Sequence, residues 1–77
     1  MTRDPIAAAI RRIIDERGLV QKAVALRAGY TPQQFSDMLN DRKVIRASDV
    51  KPITNALGVS IQELFDAGRE FDTPDAV

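Results

Sequence analysis

Two helix signals lie close together in the middle of the chain, and this spacing constrains the fold more than any other feature. Residues 21–28 form a short helical pattern that ends at Gly29, a residue type that commonly terminates helices. Thr31 and Gln34 then have the spacing of a capping box, with Pro32 at the first helical position. Helices joined by about three or four residues must cross steeply. The sequence therefore predicts two short helices packed at a high angle.

The rest of the chain predicts three further helices. The first is expected to run from about Pro5 to Arg17, because isoleucines recur there at helical spacing. The fourth helix is expected to be capped by Ser48 and Asp49. The fifth follows a capping box that begins at Ser60, and it is expected to stop near Gly68. Together these patterns predict an all-α fold, a compact bundle of five helices.

Apolar periodicity and composition also suggest where the domain ends. We expect residues 1–68 to form one domain and residues 69–77 to form an acidic, flexible tail. Apolar side chains at helical spacing in the last two helices are expected to be core, although one or two near the C-terminus could form an interface instead. Those side chains are Val50, Ile53, Leu57, Ile61, Leu64 and Phe65.

The composition argues against several classes of function. At 77 residues the chain can bury one modest core. It contains neither cysteine nor histidine, which removes disulfides, thiolate nucleophiles, imidazole bases and the usual zinc ligands. We therefore expect no enzyme, no cofactor and no metal site. No stretch approaches the roughly 20 apolar residues of a membrane span, so we expect a cytoplasmic protein without membrane contact.

The formal net charge of zero conceals an uneven distribution of charged residues. Residues 1–51 contain ten basic and six acidic side chains, a net charge of +4, whereas residues 52–77 contain one basic and five acidic side chains, a net charge of −4. Affinity for nucleic acid comes largely from neutralisation of phosphates by lysine and arginine. The first part of the chain can therefore offer one surface to an anionic partner.

The segment from Gln21 to Asn40 resembles the helix-turn-helix of the phage repressor and Cro family, also called the XRE family. The resemblance rests on apolar, small or glycine residues at the required spacing, namely Val24, Ala25, Gly29, Tyr30, Phe35 and Met38. The segment from Leu57 to Ser60 resembles the family's link between its last two helices. Val20 and Asp41 depart from the pattern, because the family often has Ser or Thr at the first position and glycine at the second.

The resemblance implies a lambda-repressor-like fold and a bacterial or phage transcriptional regulator, in particular a repressor, that binds a double-stranded DNA operator. The helix that starts near Pro32 would enter the major groove. The positions that read bases in the family correspond to Gln33, Gln34, Ser36 and Asp37. The positions that contact phosphates correspond to Gln21, Lys22, Thr31, Asn40, Arg42, Lys43 and Arg46.

Two of the base-reading candidates have alternative roles. The amide of Gln34 could instead complete the capping box with Thr31. The carboxylate of Asp37 could accept a hydrogen bond from cytosine N4, or it could serve to disfavour incorrect sequences, because its repulsion by the phosphates is uncompensated where that contact does not form. Each basic residue taken alone could simply be solvated surface.

The resemblance also suggests partners. A homodimer is expected, because two copies on a two-fold operator multiply the contacts that one small recognition helix can make. A second hypothesis is an antitoxin, whose main task is to bind a toxin protein through its C-terminal region. The sequence leaves both open.

Overall fold

The computed structural model describes residues 5–69. Within this range the chain forms five α-helices and no strand, which confirms the predicted all-α bundle. The helices are α1 (Pro5–Glu16), α2 (Gln21–Ala28), α3 (Pro32–Leu39), α4 (Ala47–Leu57) and α5 (Ile61–Arg69). The most extensive contacts join α1 to α5 and α2 to α4. Residues 70–77 of the predicted tail lie outside the described range.

The steep crossing of α2 and α3 forms as expected. Ala25 is completely buried at this crossing, where a larger side chain would separate the two helices. Gly29 follows α2 with φ +91°, a left-handed conformation that L-residues adopt only at a cost. The next amide, that of Tyr30, donates to the carbonyl of Ala25 at 2.9 Å. This closing turn redirects the chain directly into α3.

Two capping boxes open α3 and α5, and both were predicted. In α3, Thr31 Oγ1 accepts from the Gln34 amide N–H at 3.1 Å, and Gln34 Oε1 accepts from the Thr31 amide N–H at 2.9 Å. In α5, Ser60 and Glu63 form the same reciprocal pair at 3.0 and 3.2 Å. Each box satisfies two amides that have no partner inside the helix.

The predicted cap of α4 is wrong by two residues. The helix begins at Ala47 with Arg46 at the N-cap position, not at Ser48 and Asp49. Asp49 lies in the first turn, where its Oδ2 accepts from the Arg46 amide N–H at 2.8 Å. A carboxylate at the third helical position can satisfy an N-terminal amide from inside the helix. Pro52 consequently lies inside α4, where it lacks the N–H that would bond to the carbonyl one turn earlier.

The core is centred on large side chains from four of the five helices. Ile10, Phe35, Met38, Ile53 and Leu64 are all less than 2% exposed. These five residues belong to α1, α3, α4 and α5, and α2 adds the smaller Val24 and Ala25 to the core. Every helix therefore contributes to a single hydrophobic core.

Two core predictions in α5 are wrong. Ile61 and Phe65 are each 43% exposed, whereas Leu64 between them is completely buried. The buried stripe of this short helix is narrow because α5 packs mainly against α1.

Gly68 does not terminate the helix, which continues to Arg69. Gly68 is instead buried, and a Cβ placed there would lie 3.5 Å from the Pro5 carbonyl oxygen.

No helix within residues 5–69 has the length and apolar character that crossing a membrane requires.

The N-terminus of α2 lacks a side-chain cap, and this suggests a stabilising substitution. Val20 occupies the N-cap position with φ −96° and ψ 122°, makes no side-chain cap bond and is 65% exposed. Threonine has nearly the same shape and adds a hydroxyl that can accept from an α2 amide. Val20→Thr is therefore expected to raise the free energy of unfolding by about 1 kcal/mol, measured by urea denaturation. Val20→Ala is the matched control, and an equal gain in that variant would contradict the capping explanation.

Candidate nucleic-acid interface

Helix α3 presents a polar face because its apolar face is fully used in the core. Phe35, Met38 and Leu39 are at most 3% exposed, so the orientation of the helix about its own axis is determined by packing. Gln33 and Gln34 are exposed, while Ser36 and Asp37 are half-buried. The four base-reading candidates thus lie on or beside the accessible side of one helix.

Gln33 and Asp37 are hydrogen-bonded to each other along this face. Gln33 Nε2 donates to Asp37 Oδ1 at 2.9 Å, one helical turn away. The Gln33 amide retains its carbonyl oxygen and its second N–H for another partner. The side chain of Gln33 is exposed, which keeps these groups accessible.

Gln34 points in a different direction. Its side-chain oxygen accepts from the Thr31 amide as part of the capping box, which is the alternative that its spacing suggested. The Gln34 carbonyl oxygen is therefore engaged in the helix cap, whereas the Gln33 carbonyl oxygen is free to meet a base. The hydroxyl proton of Thr31 remains able to donate to a phosphate, because Thr31 Oγ1 acts only as an acceptor in the capping box.

The end of α3 is held by a side chain from α1 that the sequence did not suggest. Arg11 Nε donates to the Leu39 carbonyl at 3.1 Å, and a second guanidinium nitrogen donates to Asn40 Oδ1. The side-chain nitrogen Nδ2 of Asn40 in turn donates to the Ser36 carbonyl at 2.8 Å. A cation at a helix C-terminus is stabilising because the last carbonyls carry partial negative charge. Asn40, a predicted phosphate contact, thus closes the C-terminus of α3.

The loop after α3 folds back onto that helix. The carbonyl of Asp37 accepts from the amides of Arg42 and Lys43 at 2.8 and 3.2 Å. This return requires a left-handed residue, and Asp41 supplies it with φ +61°. The conformation explains why glycine is frequent at the equivalent place in the resembling family. Arg42, Lys43 and Arg46 are all exposed, so the loop offers three cations to solvent.

The start of α2 lies near the end of α3. An open groove of about 460 Å³ is lined by Gln21 from α2 together with Ser36 and Asn40 from α3. Gln21 and Lys22 are the first two residues of α2 and are both exposed. Helix N-termini carry partial positive charge and free amides, which suits them to bind phosphate. The predicted phosphate contacts therefore come from the start of α2, from the two caps of α3 and from the loop after α3.

A bond between the turn and α4 was missed because the sequence presents Tyr30 only as an apolar residue of the turn. The Tyr30 hydroxyl donates to Asp49 Oδ1, and the Tyr30 ring stacks on Phe35 with centroids 6.4 Å apart. Burial raises the pKa of Tyr30 to about 12, assisted by the hydrogen bond and the charge of Asp49. The hydrogen bond from Tyr30 lowers the pKa of Asp49. One carboxylate thereby connects the turn, the loop at Arg46 and α4.

The described part of the chain, residues 5–69, contains no group of three or more acidic side chains placed to hold a metal ion. The arrangement of α3, the start of α2 and the basic loop is instead suited to non-covalent recognition of an anionic, grooved surface.

Comparisons with known proteins agree with this geometry. The family model described as a helix-turn-helix domain matches residues 6–67, and no curated protein sequence matches the chain. The crystal structure of the clp gene regulator ClgR from C. glutamicum is similar with a TM-score of 0.81, covering 91% of each chain at 20% identity. At this low identity the structural similarity shows a shared fold alone. The family model matches most of the chain and therefore shows the family. The protein therefore belongs to the helix-turn-helix domain family, and its α2–turn–α3 unit is a DNA-binding motif.

Proposed function

We propose that the protein is a sequence-specific transcriptional regulator that places α3 in the major groove of an operator. The observation that carries this proposal is the division of α3 into two faces. Phe35 and Met38 anchor the helix in the core, and Gln33 remains exposed on the other side. A helix that is rigidly held and polar on its free side is what direct reading of base edges requires.

Separate groups of residues take the two tasks of DNA recognition in this proposal. Gln33 reads a base, because its free N–H and carbonyl can pair with N7 and N6 of adenine. The phosphate contacts that fix the register come from the start of α2, from the N-cap of α3 and from the loop after α3. Those residues are Gln21, Lys22, Thr31, Arg42, Lys43 and Arg46.

The regulator acts as a homodimer and as a repressor in this proposal. Ile61 and Phe65 support a dimer, because α5 leaves 43% of each side chain exposed on a helix that lies away from the turn. A groove lined by Pro5, Ile6 and Phe65 adjoins this surface. Repression is supported by the resemblance to phage repressors, which block transcription by occupying an operator.

Substitutions of Gln33 and Lys43 are expected to have different effects on binding. Gln33→Ala should lose discrimination at one base pair, reducing the preference for the best base by roughly tenfold. Lys43→Ala should weaken binding to all sequences alike and should reduce the dependence of affinity on salt. Equilibrium titrations of labelled duplexes at two salt concentrations measure both effects. The roles would be reversed if Lys43→Ala abolished sequence preference while Gln33→Ala left it unchanged.

Selection from random duplex DNA with the purified protein tests the function as a whole. A dimeric regulator is expected to enrich two inverted half-sites with centres about one helical turn apart, or a multiple of that. Enrichment of a single half-site would contradict the dimer. A failure to enrich any sequence would contradict sequence-specific regulation.

A further inference from the structure

The hydrogen bond between Gln33 and Asp37 changes what the exposed amide can recognise. A glutamine amide carries two N–H donors and one carbonyl acceptor. Asp37 Oδ1 takes one of these donors at 2.9 Å. A carboxylate can only accept hydrogen bonds, so this contact also determines which end of the amide faces Asp37. The carbonyl and one N–H of Gln33 are left to face outward.

This remaining pair of groups distinguishes the two purines. In the major groove adenine offers an acceptor at N7 and a donor at N6, whereas guanine offers acceptors at both N7 and O6. One N–H and one carbonyl match adenine. Against guanine, the same carbonyl would face O6 and leave two acceptors in contact. An amide that is free to rotate could instead direct both of its N–H groups towards guanine.

We infer that Asp37 is a positioning residue that holds the Gln33 amide and thereby makes it select adenine over guanine. The inference rests on the proposed function, since it requires Gln33 to face a base. It assigns to Asp37 a role other than direct reading of cytosine N4. The carboxylate acts on the operator through Gln33.

The surroundings of Asp37 fit such a role. Its side chain is half-buried while that of Gln33 is exposed, so Asp37 lies behind the group that reaches outward. Its backbone carbonyl accepts from the amides of Arg42 and Lys43, which places two cationic residues next to this turn of α3. Arg42 and Lys43 belong to the proposed phosphate-contacting loop, so Asp37 lies where that loop joins α3.

A second glutamine–aspartate pair provides a control that distinguishes positioning of Gln33 from a general effect on helix stability. On α5, Gln62 Nε2 donates to Asp66 Oδ1 at 2.9 Å, with the same spacing and the same atoms. A pair of this kind stabilises a helix slightly wherever it occurs. Replacing Asp66 therefore removes one carboxylate and one such bond, together with an exposed ion pair to Arg69 at 3.6 Å, without altering α3.

The test compares three variants on two duplexes. Selection with the wild-type protein and with Gln33→Ala first identifies the base pair that Gln33 reads, and duplexes are then made with adenine or guanine at that position. Asp37→Ala is expected to reduce the adenine preference by roughly tenfold, while affinity for both duplexes rises because a negative charge is removed. Asp37→Glu keeps a carboxylate, which can only accept hydrogen bonds, and should retain the preference. Asp66→Ala should change neither the preference nor the affinity.

Several outcomes would overturn the inference. If Asp37→Ala changed affinity for both duplexes by one common factor, Asp37 would act only through its charge. If that variant instead lost a preference for cytosine at a neighbouring position, Asp37 would read a base directly. Circular dichroism of each variant confirms that α3 is folded. A wild-type protein that selects no sequence contradicts the proposed function, whereas selection with an unchanged purine preference in Asp37→Ala contradicts this inference alone.

Discussion

Replacing Phe35 with alanine is expected to lower the free energy of unfolding by about 3–5 kcal/mol. The Phe35 side chain is completely buried at the centre of the core and stacks on Tyr30. Its removal costs both the transfer of the ring from water and the contacts around the cavity that remains. A domain of this length has a total stability of only about 4–12 kcal/mol. Urea denaturation followed by circular dichroism measures the loss.

Phe65 provides a control with the same side chain in a different environment. It is 43% exposed on α5, so Phe65→Ala is expected to cost about 1 kcal/mol. Equal losses at the two positions would contradict the assignment of Phe35 to the centre of the core. A cost at Phe65 that increases with protein concentration would support the proposed dimer, because association stabilises the folded state by mass action.

Replacing Asp49 with alanine is expected to lower the free energy of unfolding by about 2–3 kcal/mol. The substitution removes the acceptor of the Tyr30 hydroxyl and the acceptor of the Arg46 amide at the start of α4. Hydrogen bonds to a charged group are stronger than neutral ones, and their loss leaves two donors without their partner. The loop that carries Arg46 should also become less ordered. Thermal denaturation and DNA titration measure the two effects.

The hydrogen bond between Tyr30 and Asp49 is also expected to make the free energy of unfolding depend on pH. Folding lowers the pKa of Asp49 from its ordinary value of 3.8, so its contribution is complete above about pH 4 and is lost as the pH falls through the folded-state pKa. Folding raises the pKa of Tyr30 from 10.0 to about 12. The contribution of Tyr30 is therefore complete below about pH 10 and is lost as the pH rises towards 12.

Tyr30→Phe separates this titration from that of other groups. The variant keeps the ring that stacks on Phe35 and removes the hydroxyl that donates to Asp49. All other titratable groups are the same in both proteins. The stability difference between wild type and Tyr30→Phe should be largest near neutral pH and should shrink in alkali. A difference that stays constant from pH 7 to 12 would contradict the role of the hydroxyl.

Local signals predicted the central motif correctly. Ala25 at the crossing, Gly29 at the turn and the capping box of Thr31 and Gln34 all have the predicted roles. Each of these features depends on the conformation of a few consecutive residues or on a single close contact. Capping bonds and positive φ angles are formed within one turn of chain, so sequence spacing is sufficient to recognise them.

The start of α4 shows where local signals fail. Ser48 and Asp49 both favour an N-cap by residue type, yet the helix begins earlier, at Ala47. Asp49 also accepts a bond from Tyr30, which is 19 positions away in the chain. That long-range bond and the amide of Arg46 together place Asp49 inside the first turn. A partner so distant in sequence leaves no periodic signal.

The candidate interface divides in the same way. The sequence by itself determined that α3 would be polar on one side, because the 3.6-residue period assigns Phe35 and Met38 to one face and Gln33 to the other. Two of the bonds on this face are local, since Gln34 caps its own helix and Asp37 accepts from Gln33 one turn away. Only the tertiary structure decided which side chains from other helices reach α3, as Arg11 of α1 does when it holds Asn40, 29 positions away in the chain. Periodicity and spacing specify the face and the partners within one turn, whereas a partner on another helix depends on distances that only packing sets.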